Sequence, residues 1–393
     1  MSVQSDLVAA SEKVLMPNYG RFPIAMVRGE GSRIYDADGR EYIDFWAGFG
    51  AGGVAGHCHP KIVDAVCRQA HLLMSHGNIY TNEPQVRLAE KLTGHAFGGK
   101  IFYCHSGAEA NEAALKLVRK AAGNGRYKII SFHNCFHGRT MGSLSLTPEI
   151  FQKGFEPMLP GNMKANYGDI ESVKALVDDE TAGIFVEPIQ GEGGIFVPTV
   201  EFMQSLRKLC DDKNLLLVCD EVWTAPARTG KWFAYQHYGI TPDVLTSAKA
   251  IGGGLPLAVC MAAPKWADVL GPGSHGCTMG GNPICAAAAL ASAELIEEEN
   301  LVQAAIDNGR ETLEILTNAK LPGVMEIRGK GMMLGIAFDK NVKAAAAAAA
   351  ALDRGLLTCT GKNNTLRFVP ALNIDGNTLH KGLELLIAAI KSI

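Results

Sequence analysis

The chain has no run of about 18 apolar residues, the length a membrane-crossing helix needs. Its longest bland stretch, Ala344–Ala351, is short and weakly apolar. Its ten cysteines are scattered and include no Cys-x-x-Cys pair. In a chain of 393 residues that argues against a disulfide framework and for reduced thiols in a cytosolic protein. There is no long basic run, and the formal net charge is -3, so the charge pattern gives no reason to expect a nucleic-acid partner. Met1–Pro17 is polar and mixed in charge and lacks the apolar centre of a signal peptide, which makes a cytoplasmic location the expectation. His57-Cys58-His59 has no second cluster of metal-like spacing to complete a site. It reads as a turn before a helix opening at Pro60, and no metal is expected.

What is present is globular: 47% hydrophobic and 20% charged residues, with length enough for two or three domain-sized units. Residues 1–50 read as an extension followed by short strands, with a hairpin over Ser32–Phe45 around the Asp36-Ala37-Asp38-Gly39 turn. Gly48–Gly56 reads as a loop, and Pro60 opens a helix with Ile62, Val66 and Ala70 on one face. From about residue 84 helices and strands alternate. Ile101–Cys104, Tyr127–Phe132, Gly183–Glu187, Leu215–Asp220 and Leu257–Ala262 are the expected strands. Polar, glycine-containing loops follow several of them, which indicates a mostly parallel, doubly wound sheet. After Pro283 the texture changes to alanine-rich helices over 286–298 and 301–319, a hairpin over 324–338, a helix over 344–351 with little to specify its packing, a strand at 366–370 and a closing helix over 377–390. This tail reads as a smaller α+β domain.

Two loops carry the chemistry. Ala248-Lys249-Ala250-Ile251-Gly252-Gly253-Gly254 places one lysine before three glycines, which let backbone approach a ligand closely. Taken alone, the loop fits a surface lysine before a flexible turn as well as a desolvated amine able to form a Schiff base with a carbonyl. Asp220-Glu221-Val222, at the end of an apolar run, favours the second reading, because an aspartate and a lysine together can hold a pyridine aldehyde. Ser106-Gly107-Ala108 follows a strand and opens a helix to about Ala122, which suits either an anion site or a plain N-cap.

Together these motifs resemble the class III aminotransferases of the fold-type I pyridoxal-phosphate (PLP) enzymes, most of all the acetylornithine/ornithine aminotransferases. The likeness includes Gly56–Pro60, Thr81–Pro84, Ser106–Lys116, Phe136–Thr140, Glu187–Gly194, Arg228–Gly230, Ala248–Gly254, Gly280–Pro283 and Arg367–Pro370. It implies a large PLP-binding domain over 51–283 with a mostly parallel seven-stranded sheet flanked by helices. It also implies a small α+β domain over 284–393, to which 1–50 contributes. By resemblance, Lys249 holds the cofactor and moves the proton, and Asp220 stands under the pyridine nitrogen. Ser106, Gly107 and Ala108 hold the phosphate, Phe136, Val222 and Trp223 contact the ring, and Thr278 serves the phosphate of the other subunit in a homodimer. Arg139 and Arg367 match the arginines that hold substrate carboxylates, Glu192 the glutamate that neutralises the second of them, and Cys277 a pocket position.

The implied activity is transfer of the ω-amino group of N-acetylornithine or ornithine to 2-oxoglutarate. Other ω-amines such as 4-aminobutyrate, or an isomerase or decarboxylase on the same fold, are the alternatives. The sequence departs from the family where Trp223 replaces a glutamine, Thr224–Ala227 a glycine-containing loop, the Leu257-Ala258 pair a glycine after Pro256, Cys277 a hydroxyl residue, and His105 an asparagine or threonine.

Overall fold

The computed structural model describes residues 2–47 and 53–393, so the Gly48–Gly52 part of the expected loop lies outside the described residues. The Ser2 side chain accepts from the Ser5 amide and caps a helix, α1 (Val3–Val14). The sequence reading leaves this segment as an extension; none of its residues is buried, although Val3, Leu7, Ala10 and Val14 fall on one helical face. Strands β1 (Met26–Glu30), β2 (Arg33–Asp36) and β3 (Glu41–Asp44) pair antiparallel in that order. Asp36 fixes the expected hairpin by accepting from the amides of Asp38 and Arg40. Pro60 stands at the start of α2 (Pro60–Leu72), where its missing N–H costs nothing, and Ile62 turns inward. The two histidines before it go to different carboxylates: His57 to Asp44 at 2.8 Å and His59 to Glu299 at 3.3 Å.

The central sheet is built from β4 (Lys100–Cys104), β5 (Lys128–Phe132), β6 (Asn162–Ala165), β7 (Thr181–Val186), β8 (Leu216–Asp220), β9 (Val244–Ser247) and β10 (Ala258–Ala262). Its helices include α3 (Glu83–His95), α4 (Gly107–Ala122), α5 (Met141–Leu146), α6 (Ile170–Lys174) and α7 (Val200–Lys213). The spatial order of its seven strands is β4-β10-β9-β8-β7-β5-β6, parallel except for β10, which runs against both neighbours. Every residue of β7 and β8 is buried, as expected for central strands covered on both faces. Successive side chains divide between the faces. Phe185 and Val218 pack with Leu117 and Val118 of α4, whereas Ile184 and Leu217 pack with Phe202 and Leu206 of α7. A side chain at Gly183 would come 2.5 Å from the Leu216 carbonyl oxygen, so the β7–β8 contact requires glycine there. The mostly parallel sheet is as expected. The sequence reading does not mark β6 or β9, each only four residues long.

Beyond Pro283 come α8 (Pro283–Glu298), α9 (Leu301–Asn318), β11 (Val324–Lys330), β12 (Met333–Phe338), α10 (Ala344–Asp353), β13 (Leu356–Leu357), β14 (Cys359–Gly361), β15 (Thr365–Phe368) and α11 (Gly376–Lys391). β11, β12, β15 and β14 form an antiparallel sheet, and β13 adds to β3 in parallel, so the N-terminal hairpin and the C-terminal segment share a sheet. Phe45 stacks on Phe368 with 6.1 Å between ring centroids, and Gly382 leaves room for Phe45. In α10 the buried residues are Ala344, Ala347, Ala348 and Ala351, a single helical face that uniform alanine hides in the sequence. Asn364 fixes its start, accepting from the Ala344 amide and donating to the carbonyls of Asp339 and Val342.

Candidate active site

Strands β4, β5, β7, β8 and β9 end on one edge of the sheet, the edge at which open α/β sheets bind ligands. The loops that follow them bring His105–Ala108, Phe136–Arg139, Glu187, Glu192, Val222–Thr224 and Lys249 around one cavity of about 460 Å³. Because β10 runs the other way, the residues before it, Gly254–Leu257, close the same cavity.

Asp220, the last residue of β8, lines this cavity and is itself buried. Its Oδ2 accepts from Asn111 Nδ2 at 2.8 Å and from His137 Nδ1 at 2.7 Å, and its Oδ1 accepts from the Val222 amide at 3.0 Å. Asn111 is oriented in turn, with Oδ1 taking the Thr246 hydroxyl and Nδ2 also reaching the His137 carbonyl. Burial disfavours a charged His137, but the neighbouring Cys135 and Asp220 outweigh it and raise its pKa to about 10. The imidazole and the Asn111 amide thus fix the carboxylate in place.

Glu187, the residue after β7, also lines the cavity and receives the amides of Phe136 at 3.1 Å and Gly191 at 3.3 Å. Burial nonetheless pushes its carboxyl up to about 8. An acid whose folded pKa is raised binds a proton that the unfolded chain has already lost. Its contribution therefore falls as pH rises from the ordinary carboxyl range toward about 8. Glu187→Gln should accordingly gain in thermal midpoint, relative to the unsubstituted cofactor-free protein, more at about pH 8 than at about pH 5. A pH-independent difference would contradict this.

Lys249 begins a single 3-10 turn directly after β9, with φ at 53°. A non-glycine residue held there costs about 1–2 kcal/mol, and such strain concentrates at functional sites. Burial lowers its pKa, against the opposing charges of Glu192 and Asp220. Its Nζ lies 4.9 Å from the ring centroid of Trp223. Trp223 fits because Gly191 has no side chain; a Cβ there would come 1.8 Å from the indole. The indole Nε1 is buried with no hydrogen-bond partner among the described residues.

Arg367 is 1% exposed. Its Nη1 meets Glu192 Oε1 at 3.1 Å and the Gly191 carbonyl at 3.1 Å, and its Nη2 donates to the Thr360 carbonyl at 2.7 Å. Its guanidinium carbon is 5.1 Å and 4.8 Å from the ring centroids of Trp46 and Trp223. Arg139 lies exposed at the mouth, 4.4 Å from the Phe151 centroid and 5.3 Å from that of Phe136.

Ser106 is the N-cap of α4, in a capping box with Glu109 that engages its hydroxyl. The anion-site and N-cap readings are thus compatible: the first helical amides, those of Gly107 and Ala108, have no intrahelical acceptor and face the cavity. Cys277 and Thr278 do not line this cavity. Cys277 Sγ lies 3.3 Å from His105 Nδ1, and Thr278 is exposed. Sequence reasoning singled out neither His137, Asn111 nor Glu187 as a site residue. The signal that could have found Glu187 is its place at the end of a buried strand, the same as that of Asp220.

Residues 14–390 match the family model for class-III aminotransferases. The acetylornithine aminotransferase of Caldanaerobacter subterraneus subsp. tengcongensis is 43% identical over 98% of this chain and 100% of its own. The succinylornithine transaminase of Salmonella paratyphi A is 43% identical over 94% of this chain and 93% of its own. The ornithine aminotransferase of Toxoplasma gondii, solved with partial occupancy of PLP at its active site, superposes with a TM-score of 0.94 at 30% identity, covering 100% of this chain and 96% of that one. With a matching family model over nearly its whole length, a full-length relative at this identity and the expected sheet, the chain belongs to the class-III aminotransferases.

Proposed function

We propose that the cavity binds pyridoxal 5′-phosphate and that the protein transfers the ω-amino group of N-acetylornithine, or of ornithine, to 2-oxoglutarate, giving the semialdehyde and glutamate in arginine metabolism. The residues present fit the cofactor. An aspartate is held by a histidine and an asparagine at the cavity wall, unaccepted amides begin a 16-residue helix, and the lysine is of lowered basicity. When bound, PLP supplies an electron sink for the bond that breaks at the donor carbon. Lys249 would attach it and carry the proton, with Asp220 at the ring nitrogen. Gly107 and Ala108 would give their amides to the phosphate, beside Ser106. Phe136, Val222 and Trp223 would enclose the ring.

The observation that carries the substrate reading is the Arg367–Glu192 pair at 3.1 Å, with Glu192 lining the cavity that also holds Lys249. A guanidinium takes a carboxylate through two parallel hydrogen bonds, and Arg139 offers a second at the mouth, which suits a dicarboxylate. An isomerase or decarboxylase has no need of that pair. The relatives' names add succinylornithine to the donors to be tried. With 2-oxoglutarate as acceptor, N-acetylornithine or ornithine should give the highest kcat/KM for glutamate formation in a panel that includes succinylornithine and 4-aminobutyrate. Preference for 4-aminobutyrate would reject the donor assignment. The same reading makes the active unit a cytoplasmic homodimer in which Thr278, with Cys277 beside it, serves the partner's phosphate; a fully active monomer in sedimentation would contradict it. It divides the chain at 1–50, 51–283 and 284–393.

A further inference from the structure

Two departures from the family pattern, His105 and Cys277, are 172 positions apart in sequence and meet in space. Cys277 Sγ is 3.3 Å from His105 Nδ1, and that same nitrogen is 3.4 Å from Glu109 Oε1. Donor atoms of all three side chains lie within 4.8 Å of one another, and each residue is half-buried. In tetrahedral zinc coordination, bond lengths of about 2.0–2.3 Å put neighbouring ligand atoms about 3.3–3.6 Å apart, and the two measured separations fall at that spacing. The division of labour within Glu109 fits as well. Its Oε2 takes the amides of His105 and Ser106 and the Ser106 hydroxyl, at 2.9, 2.8 and 3.0 Å, which leaves Oε1 turned toward His105.

We infer that His105, Glu109 and Cys277 form a binding site for a thiophilic divalent cation, Zn²⁺ by ligand type, with water in the fourth position. A thiolate, an imidazole and a carboxylate are the ligand set of zinc rather than of magnesium or calcium, which take oxygen alone. The site borders the cavity, which His105 also lines, and is mechanically joined to it. Glu109 holds the start of α4, whose first amides face the cavity, and Cys277 precedes Thr278. A cation bridging the two segments ties the anion-binding end of α4 to the segment that carries Thr278.

The inference does not depend on which donor the enzyme uses, so its test needs no turnover. The purified holoenzyme is stripped of metal with a chelator, desalted and titrated with Zn²⁺ against a chromogenic chelator. One tight equivalent per chain is expected. Its affinity should fall by about 100-fold or more in both Cys277→Ser and His105→Asn, since loss of a ligand exceeds the effect of losing an outer partner. Unchanged Zn²⁺ affinity in either variant overturns the site. Co²⁺ bound to the unsubstituted protein gives a readout that needs no variant: tetrahedral visible bands to the red of the cofactor absorption support the site. Co²⁺ that stays six-coordinate, as in water, overturns it.

Discussion

Replacing Lys249 by alanine is expected to lower turnover by about 10⁴-fold or more, the scale on which loss of a covalent or proton-transferring residue is felt. The protein should still take up pyridoxal phosphate, because Asp220 remains fixed by His137 and Asn111 and the amides at the start of α4 are untouched. Alanine tolerates φ of 53° no better and no worse than lysine, so the turn should persist. The lysine is suited to the task by its place. Burial lowers its basicity, which favours the neutral amine that takes the proton from the amine-bearing carbon of the donor. Borohydride reduction of the loaded protein followed by peptide mapping should label Lys249. A pyridoxyl group on any other lysine would contradict the assignment.

The second large effect concerns Arg367 and Glu192. One pocket has to accept an amine-ended donor and then a dicarboxylate acceptor. A permanently free Arg367 would draw the donor's α-carboxylate into the wrong pose. Paired with Glu192 its charge is hidden, and with Glu192 turned aside it is exposed. Arg367 is held through either state, since Nη1 keeps the Gly191 carbonyl, Nη2 keeps the Thr360 carbonyl, and the indoles of Trp46 and Trp223 stay close. Glu192 is the more exposed partner, with its side chain 31% exposed against 2% for that of Arg367, so it is the one with room to turn aside. A hydrogen bond to a charged group is worth roughly 1.5–3 kcal/mol, tenfold or more in a rate or affinity. Arg367→Ala should therefore slow the reactions of glutamate and 2-oxoglutarate by about 10²-fold. Glu192→Ala should slow the ω-amine half-reaction about tenfold or more and spare that of glutamate. Single-turnover rates separate the two. Equal losses for both donors in a normally melting Glu192→Ala protein would show that Glu192 only braces its loop.

The buried strands of the central sheet were legible because they are unbroken apolar runs ending in polar loops. β7 and β8 are plain in the sequence for that reason, and the position of Asp220 follows from β8, whereas Lys249 was marked by its glycine-rich loop and not by the strand before it. Two kinds of feature were not legible. The helix α1 has apolar residues at Val3, Leu7, Ala10 and Val14 but buries none of them, so no core contact backs the pattern, and α10 gives no periodic signal because its buried and exposed faces are the same residue. Contacts between distant segments were the other kind. That His137 clamps Asp220, that Gly191 makes room for Trp223, and that Cys277 reaches His105 depend on the fold bringing loops together. Each residue by itself reads as an ordinary loop or core residue. The departures from the family at 105, 223 and 277 were visible in the sequence as differences, but their physical meaning appears only in their neighbours.

The central claim is that one site carries out two linked half-reactions, and mixing loaded enzyme with one equivalent of N-acetylornithine in the absence of any oxo-acid tests it most directly. The absorbance of the lysine-bound cofactor should be lost, with one semialdehyde formed per site. Adding 2-oxoglutarate should restore the original spectrum, with one glutamate per site. A spectrum unchanged by every ω-amine, or a donor decarboxylated or isomerised without any need for 2-oxoglutarate, would contradict it.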